Sequence, residues 1–153
     1  MSIISHIRDC LDALLHPSAR YDALTRDIVD LTGRVPAAEA ELARLTAAHP
    51  PSVLAAVRDN IGMAREDITF AEQNIDNGRN ALAQPVGQQG GAVAAIRAAE
   101  GAIGQARALL DAIAHAGANI QQARDGLPAV LDEFLARLRA ELGEDGTDSE
   151  DSP

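Results

Sequence analysis

Residues 54 to 82 read LAAVRDNIGMAREDITFAEQNIDNGRNAL. Every seventh position of this stretch from its first residue is a large aliphatic: Leu54, Ile61, Ile68, Ile75 and Leu82. Three positions after each of the first four comes a smaller side chain: Val57, Ala64, Ala71 and Gly78. An apolar pair at this 3–4 spacing stays on one face of an α-helix and forms the seam of a coiled coil, here with large and small layers alternating. Residues 52–83 are therefore expected to form one helix. Ser52, after Pro50–Pro51, stands where an N-capping hydroxyl would accept from a free backbone N–H.

The same period organises both flanks. Upstream, Ile7, Leu14, Tyr21, Ile28, Val35 and Leu42 form one column, and Ile3, Cys10, Pro17, Leu24, Leu31, Ala38 and Leu45 the other. The phase survives Pro17 and Pro36. Because proline inside a helix removes a donor and crowds the preceding turn, a helical rod over 3–48 is expected, interrupted near Pro17 and bent less near Pro36. Cys10 falls on an inward column and reads as a buried, inert thiol.

Downstream of the loop QPVGQQGG (84–91), a third rod over 91–142 carries three adjacent columns. These are Ile96, Ile103 and Leu110; Ala99, Ala106, Ile113, Ile120, Leu127 and Phe134; and Ala102, Leu109, Ala116, Ala123 and Val130. A stripe this wide touches two partner helices. Its many alanines and glycines let backbones approach closely, while the spaced Ile and Leu supply buried area. The stretch is also too interrupted by Glu100, Arg107, Asp111, His115 and Asn119 to cross a bilayer, which needs roughly 20 mainly apolar residues.

The expected fold is all-α: an elongated antiparallel three-helix bundle over residues 1–143, whose flanking rods either break near Pro17 and Pro128 or extend past the core, followed by a disordered acidic tail over 144–153. The totals agree with that class. At 153 residues the chain has room for one domain, and aromatic side chains make up only 2% of it, too few for an ordinary α/β core. The first and third rods outrun the middle one at ~1.5 Å per residue. Ile7, Leu11 and Leu14 at one end, and Leu131, Phe134 and Leu138 at the other, then lie beyond the shared core as an interaction stripe, fit for a protein partner or for self-association.

Charge narrows the function classes. The net charge is −10, and all 13 basic residues are arginine. Five of the 23 acids fall within the tail. This balance excludes nucleic-acid binding through the phosphate backbone, which needs clustered positive charge. A single cysteine excludes an internal disulfide, and no secretory leader pattern is read at the N-terminus.

No constellation carries chemistry. Asp111 and His115 lie one helical turn apart and read as a solvated hydrogen-bonded pair before they read as a metal or acid–base site. Ser5, His6 and Asp9 crowd a single turn, where a triad geometry is seldom available. QPVGQQGG follows no strand and has no phosphate-loop lysine. Arg58, Arg65 and Arg79 flank the middle seam and read as ion pairs to a neighbouring helix. No cofactor, no metal and no catalytic residue is expected. The chain is read as a non-enzymatic cytoplasmic scaffold or interaction module.

Two resemblances refine this reading. LTGRVPAAEAELARLTAAHPPSVLAAVRDNIGMAREDI (31–68) and AVAAIRAAEGAIGQARALLDAI (92–113) resemble the long helical C-terminal region of actinobacterial TPM-domain proteins. The likeness rests on Pro36, the Glu39–Leu42–Leu45 stripe, Ser52, Leu54, Val57, Asn60 and Ala64. It continues through Arg97, Ala99, Glu100, Gln105, Ala106, Leu109, Leu110 and Asp111. It implies a helical accessory module to a membrane-associated complex; the metal and phosphatase associations of the TPM domain itself have no residues here to rest on. The opening MSIISHIRDCLDALLHP is faintly similar to the start of phage-shock protein A-like coiled coils, which implies peripheral membrane binding through helix 3–15. With Arg8 the one basic residue before Arg20, that contact is expected to be weak.

Overall fold

The structure is a computed structural model that describes residues 3–85, 87 and 89–144. The described residues contain four α-helices and no strand: α1 (Ile3–Leu15), α2 (Pro17–Ala48), α3 (Asn60–Leu82) and α4 (Gly91–Glu144). A 3-10 turn, Pro51–Leu54, precedes α3. The chain divides into two units, residues 1–115 and 116–153. The tail beyond Glu144 lies outside the described residues, as do the side chains of Cys10 and Leu14.

Within the first unit, inter-helix contacts set the directions. Arg79 on α3 reaches Asp22 on α2, and Arg65 reaches Glu39, so these two helices run antiparallel. Arg20 pairs with Glu100 and Arg34 with Asp111, so α2 and the first half of α4 run parallel. An up-down-up arrangement results. Its core is the predicted seam: Leu54, Val57, Ile61, Ala64, Ile68, Ala71 and Ile75 are buried, with Leu24, Ile28, Leu31, Val35 and Leu45 from α2. From α4 come Ile96, Ala99, Ile103, Ala106, Leu110 and Ile113.

Tyr21 ties all three helices together. It is fully buried, and its hydroxyl donates to the backbone carbonyl of Ala92 in the first turn of α4. Its ring lies across Gly78 on α3 so closely that a Cβ built there would stand 2.6 Å from Tyr21 Cε1 and still nearer to the hydroxyl. The small layer of the α3 heptad thus ends in the one residue that leaves room for a tyrosine.

Proline acts differently at its three helical positions. His16 has φ −138° and ψ 57°, which ends α1, and Pro17 opens α2 where its missing N–H costs nothing. Pro36 lies inside α2 without breaking it. The carbonyl it leaves unpaired belongs to Thr32, which like Pro36 faces solvent, and buried Leu31, Val35 and Leu45 hold the helix on either side. Upstream of Pro17 the large apolar side chains among the described residues, Ile3, Ile4, Ile7 and Leu11, are exposed. Pro128 also sits within an unbroken α4, so of the two courses open there the rod extends; the freed carbonyl, of Arg124, belongs to an exposed residue and is open to water.

The start of the middle helix also differs from expectation. Ser52 does not cap; it lies inside the 3-10 turn, which has extended Pro50 before it. The chain then passes through 55–59 by mixed bonds, Val57 N to Leu54 O and Arg58 N to Leu54 O, both 3.0 Å, before regular helix begins at Asn60. With prolines at 50 and 51, the first N–H groups are already reduced in number, and a tighter turn satisfies the remainder. Between α3 and α4, Gly87 takes φ 101°, a conformation open to glycine. Gln89 donates back to the carbonyls of Leu82 (2.9 Å) and Gln84 (3.0 Å), closing the C-terminus of α3.

Gly78→Ala is expected to destabilise the bundle by about 1–3 kcal/mol through overpacking against the tyrosine, despite alanine's advantage as a helix former of about 1 kcal/mol. In a Tyr21→Leu background the same change should become neutral or stabilising. Urea denaturation of the four proteins checks this, and equal costs in both backgrounds would remove the contact from the account.

Burial raises the pKa of the Tyr21 phenol above its ordinary value. The folded state therefore holds the neutral phenol more tightly than the unfolded state. Its contribution is complete below about pH 10 and lost as pH rises through the folded value. The chain has one tyrosine and no lysine, and arginine does not titrate in this range. In a Cys10→Ser background, phenolate absorbance should rise together with loss of helix, and Tyr21→Phe should flatten this alkaline limb. A phenolate that forms while helicity is unchanged contradicts the assignment.

Candidate interaction surface

Apart from the scattered Val29, Val53, Met63 and Phe70, the exposed large apolar residues among those described fall on two helical segments. On α1, Ile3, Ile4, Ile7 and Leu11 are exposed, with Ile3 at 79%. Along residues 127–142 of α4, within the second unit, Leu127, Val130, Leu131, Phe134, Leu135, Leu138 and Leu142 are exposed, with Phe134 at 56%. Five of the six residues expected to form an interaction stripe, Ile7, Leu11, Leu131, Phe134 and Leu138, are thus on the surface. The sixth, Leu14, lies where side chains are not described. Steps of three and four along the α4 segment keep its apolar residues on one face. Val130, Leu135 and Leu142 widen that face beyond the three residues expected, a widening already present in the 3–4 spacing.

The polar candidates become structural. Of the arginines flanking α3, Arg79 donates to Asp22 Oδ1 and Thr25 Oγ1, both at 3.1 Å, and Arg65 donates to Glu39. Arg58 departs from the pattern and turns to the adjacent Asp59 at 3.4 Å. Asp111 and His115 do not form a side-chain pair. The Asp111 carboxylate accepts from Arg34 on α2, and the His115 ring contacts the Asp111 backbone carbonyl at 2.7 Å. A local backbone acceptor four residues back competes with the carboxylate for the imidazole, and the guanidinium across the helix interface wins the carboxylate. Arg34 also lines a groove of about 280 Å³ with Ala37, Ala38, Glu41, Leu110 and Ala114. An anion bound there would have to displace Asp111.

Elsewhere, Ser5 and His6 are exposed on α1, and the Asp9 side chain is not described. Asn60 is a polar side chain that sequence reasoning did not single out for the core. It is buried and donates to the Leu109 carbonyl at 3.1 Å, clamping the start of α3 to α4. Asp67 sits beside Phe70, Arg97 and Gly101 in a shallow groove between α3 and α4. Burial, and secondarily the charge of Glu66, push its carboxyl up. Among the described residues no cluster of three or more His, Cys, Asp or Glu is placed to hold a metal ion, and no helix is long and apolar enough to cross a membrane.

The chain is similar to two proteins of Mycobacterium tuberculosis, UPF0603 protein MT2410 (strain CDC 1551 / Oshkosh) and UPF0603 protein Rv2345 (strain ATCC 25618 / H37Rv). Identity to each is 40% over 129 residues, covering 84% of this chain and 20% of the relative. The chain therefore spans about a fifth of the length of these relatives. No family model and no solved structure matches it.

Because Arg34 and Asp111 are both partly exposed, their pair is expected to contribute less than about 1 kcal/mol. Arg34→Ala and Asp111→Ala should each lower the urea midpoint slightly and couple in a double-mutant cycle, while Asp111→Ala and His115→Ala should be additive. Coupling in the second cycle but not the first would reverse the assignment.

Proposed function

We propose that this chain is a non-enzymatic helical interaction or scaffolding module, working in the cytoplasm as an accessory to a membrane-associated complex. The observation that carries the reading is the exposed apolar face of residues 127–142. Seven large side chains share one helical segment and stay in contact with water, and a continuous face of this kind marks an interaction site. The commitment of Asp111, Arg34, Arg65 and Arg79 to contacts between helices supports a structural role for these polar groups. The accessory role draws on the likeness to the helical region of TPM-domain proteins. The 129-residue match to the mycobacterial relatives supports an actinobacterial setting for it.

A second reading rests on α1. Its exposed face of Ile3, Ile4, Ile7 and Leu11 suits a peripheral membrane contact of the phage-shock protein A type through helix 3–15. Arg8 is its one basic residue, so the affinity would come from apolar insertion and depend little on anionic lipid.

In-cell crosslinking in an actinobacterial host separates these readings. The wild-type chain is expected to give discrete crosslinked species that disappear in Leu131→Glu/Phe134→Glu with the bundle of residues 1–115 still folded, and that persist in Ile3→Asp/Ile7→Asp. Species insensitive to the first pair, or none at all, would overturn the interaction module. Loss of membrane recovery in the second pair alone would move the assignment to α1.

A further inference from the structure

We infer that residues 124–141 of α4 pair antiparallel with the same segment of a second copy of this chain. This rests on the interaction-module reading and names its partner. Leu127, Leu131, Phe134 and Leu138 are exposed and follow one another by steps of four, three and four. Continuing the same seam by three residues in each direction reaches Arg124 at one end and Glu141 at the other. The seam is thus four apolar positions closed by opposite charges. Among the described residues neither charge has an ion-pair partner, whereas neighbouring Arg137 is paired with Glu133 (3.0 Å) and Asp125 accepts from Gln121 (2.9 Å).

The end charges decide the orientation. In a parallel, in-register pair every residue faces its own copy, so Arg124 would meet Arg124 and Glu141 would meet Glu141. Two like-charge layers would then bracket the apolar ones. Reversing one helix about the midpoint between Leu131 and Phe134 places Leu131 against Phe134 and Leu127 against Leu138. The same reversal sets Arg124 against Glu141 at both ends. One operation turns two repulsive layers into two attractive ones and leaves every apolar residue facing an apolar residue. A self-complementary patch of this kind closes into a dimer with two-fold symmetry. The α1 face has no equivalent: Ile3, Ile4, Ile7 and Leu11 are followed by no comparable pair of opposed end charges.

Sedimentation equilibrium of the full chain, with Arg124→Glu, Glu141→Arg and the double exchange, tests the pairing. The wild type should be a concentration-dependent dimer. Each single reversal creates like charges at both ends and should raise the dissociation constant at least about tenfold. The double exchange, and an equimolar mixture of the two single variants, should restore dimerisation. Orientation is read separately in a Cys10→Ser background. Leu127→Cys and Leu138→Cys should form a disulfide with each other when mixed, and neither should crosslink efficiently alone. The Tyr21 titration, which reports the separate bundle of residues 1–115 and should be unchanged in all variants, separates lost pairing from lost folding. A monomer at all concentrations, a dimer indifferent to the charge reversals, or efficient crosslinking of Leu138→Cys to itself each overturns the inference. A monomer that still takes another protein through Leu131 and Phe134 overturns self-pairing alone and leaves the interaction module standing.

Discussion

Close approach between helices is the constraint on which the bundle of residues 1–115 depends, and it is most severe where Tyr21 crosses Gly78. A tyrosine brings a large apolar ring and a hydroxyl that must find a partner once buried. Here the ring fills the space that the glycine leaves on α3, and the hydroxyl bonds the Ala92 carbonyl on α4. One side chain on α2 thereby fixes its distance to α3 and its axial register to α4. The alanines at 64, 71, 99 and 106, all fully buried, extend the same rule along the seams. With two phenylalanines, one tyrosine and no tryptophan in the chain, stability comes from many small contacts at short range, and a single added methyl group at Gly78 is enough to disturb them.

The seam itself was legible in the sequence because it depends on nothing beyond local period. Ile61, Ile68 and Ile75 must share a face in any helix that contains them, and so must Ile96, Ile103 and Leu110. What met what was not legible. Tyr21 and Gly78 each fell on an inward column, but their meeting depends on the offset between two antiparallel helices, which no single heptad encodes. Asn60 escaped notice for the same reason: its partner is a backbone carbonyl 49 positions away, and backbone carbonyls leave no signature in a sequence. Ser52 was misplaced because capping preference is a local prior, and the two preceding prolines favoured a tighter first turn. Pro128 illustrates the reverse limit, since proline sets a cost on a helix without deciding whether the helix ends.

The candidate surface was legible to a similar degree. Leu131, Phe134 and Leu138 were expected at the surface from the mismatch in rod lengths, and they are exposed. The polar candidates were decided by competition that spacing cannot reveal. Asp111 had His115 one turn away and Arg34 a helix away. A guanidinium is permanently charged and can approach a carboxylate with parallel donors, so the distant partner took it. A carboxylate and an imidazole at i and i+4 signal chemistry only when no stronger partner lies across the interface.

In the segment 116–144 the cost of the helix can be weighed against the apolar face it presents. Gly126 and Pro128 oppose helix formation by about 1 and 3 kcal/mol relative to alanine, and both lie within the unbroken helix. Local pairs such as Arg137 with Glu133 contribute only about 0.2–0.5 kcal/mol each. Burying Leu127, Leu131, Phe134 and Leu138 against apolar partners is the larger resource, at roughly 1.5–3 kcal/mol for each side chain fully removed from water. On the proposed pairing, the second copy would therefore do more than bind: it would supply much of the free energy that keeps this stretch helical. Order in the segment and occupancy of its face are two readings of one equilibrium. On the proposed pairing, Arg124 acquires a second significance. Its carbonyl is the one Pro128 leaves without an intrahelical partner, and its side chain closes the seam with Glu141 of the second copy, so the weakest turn of the helix lies beside the contact that orients the dimer.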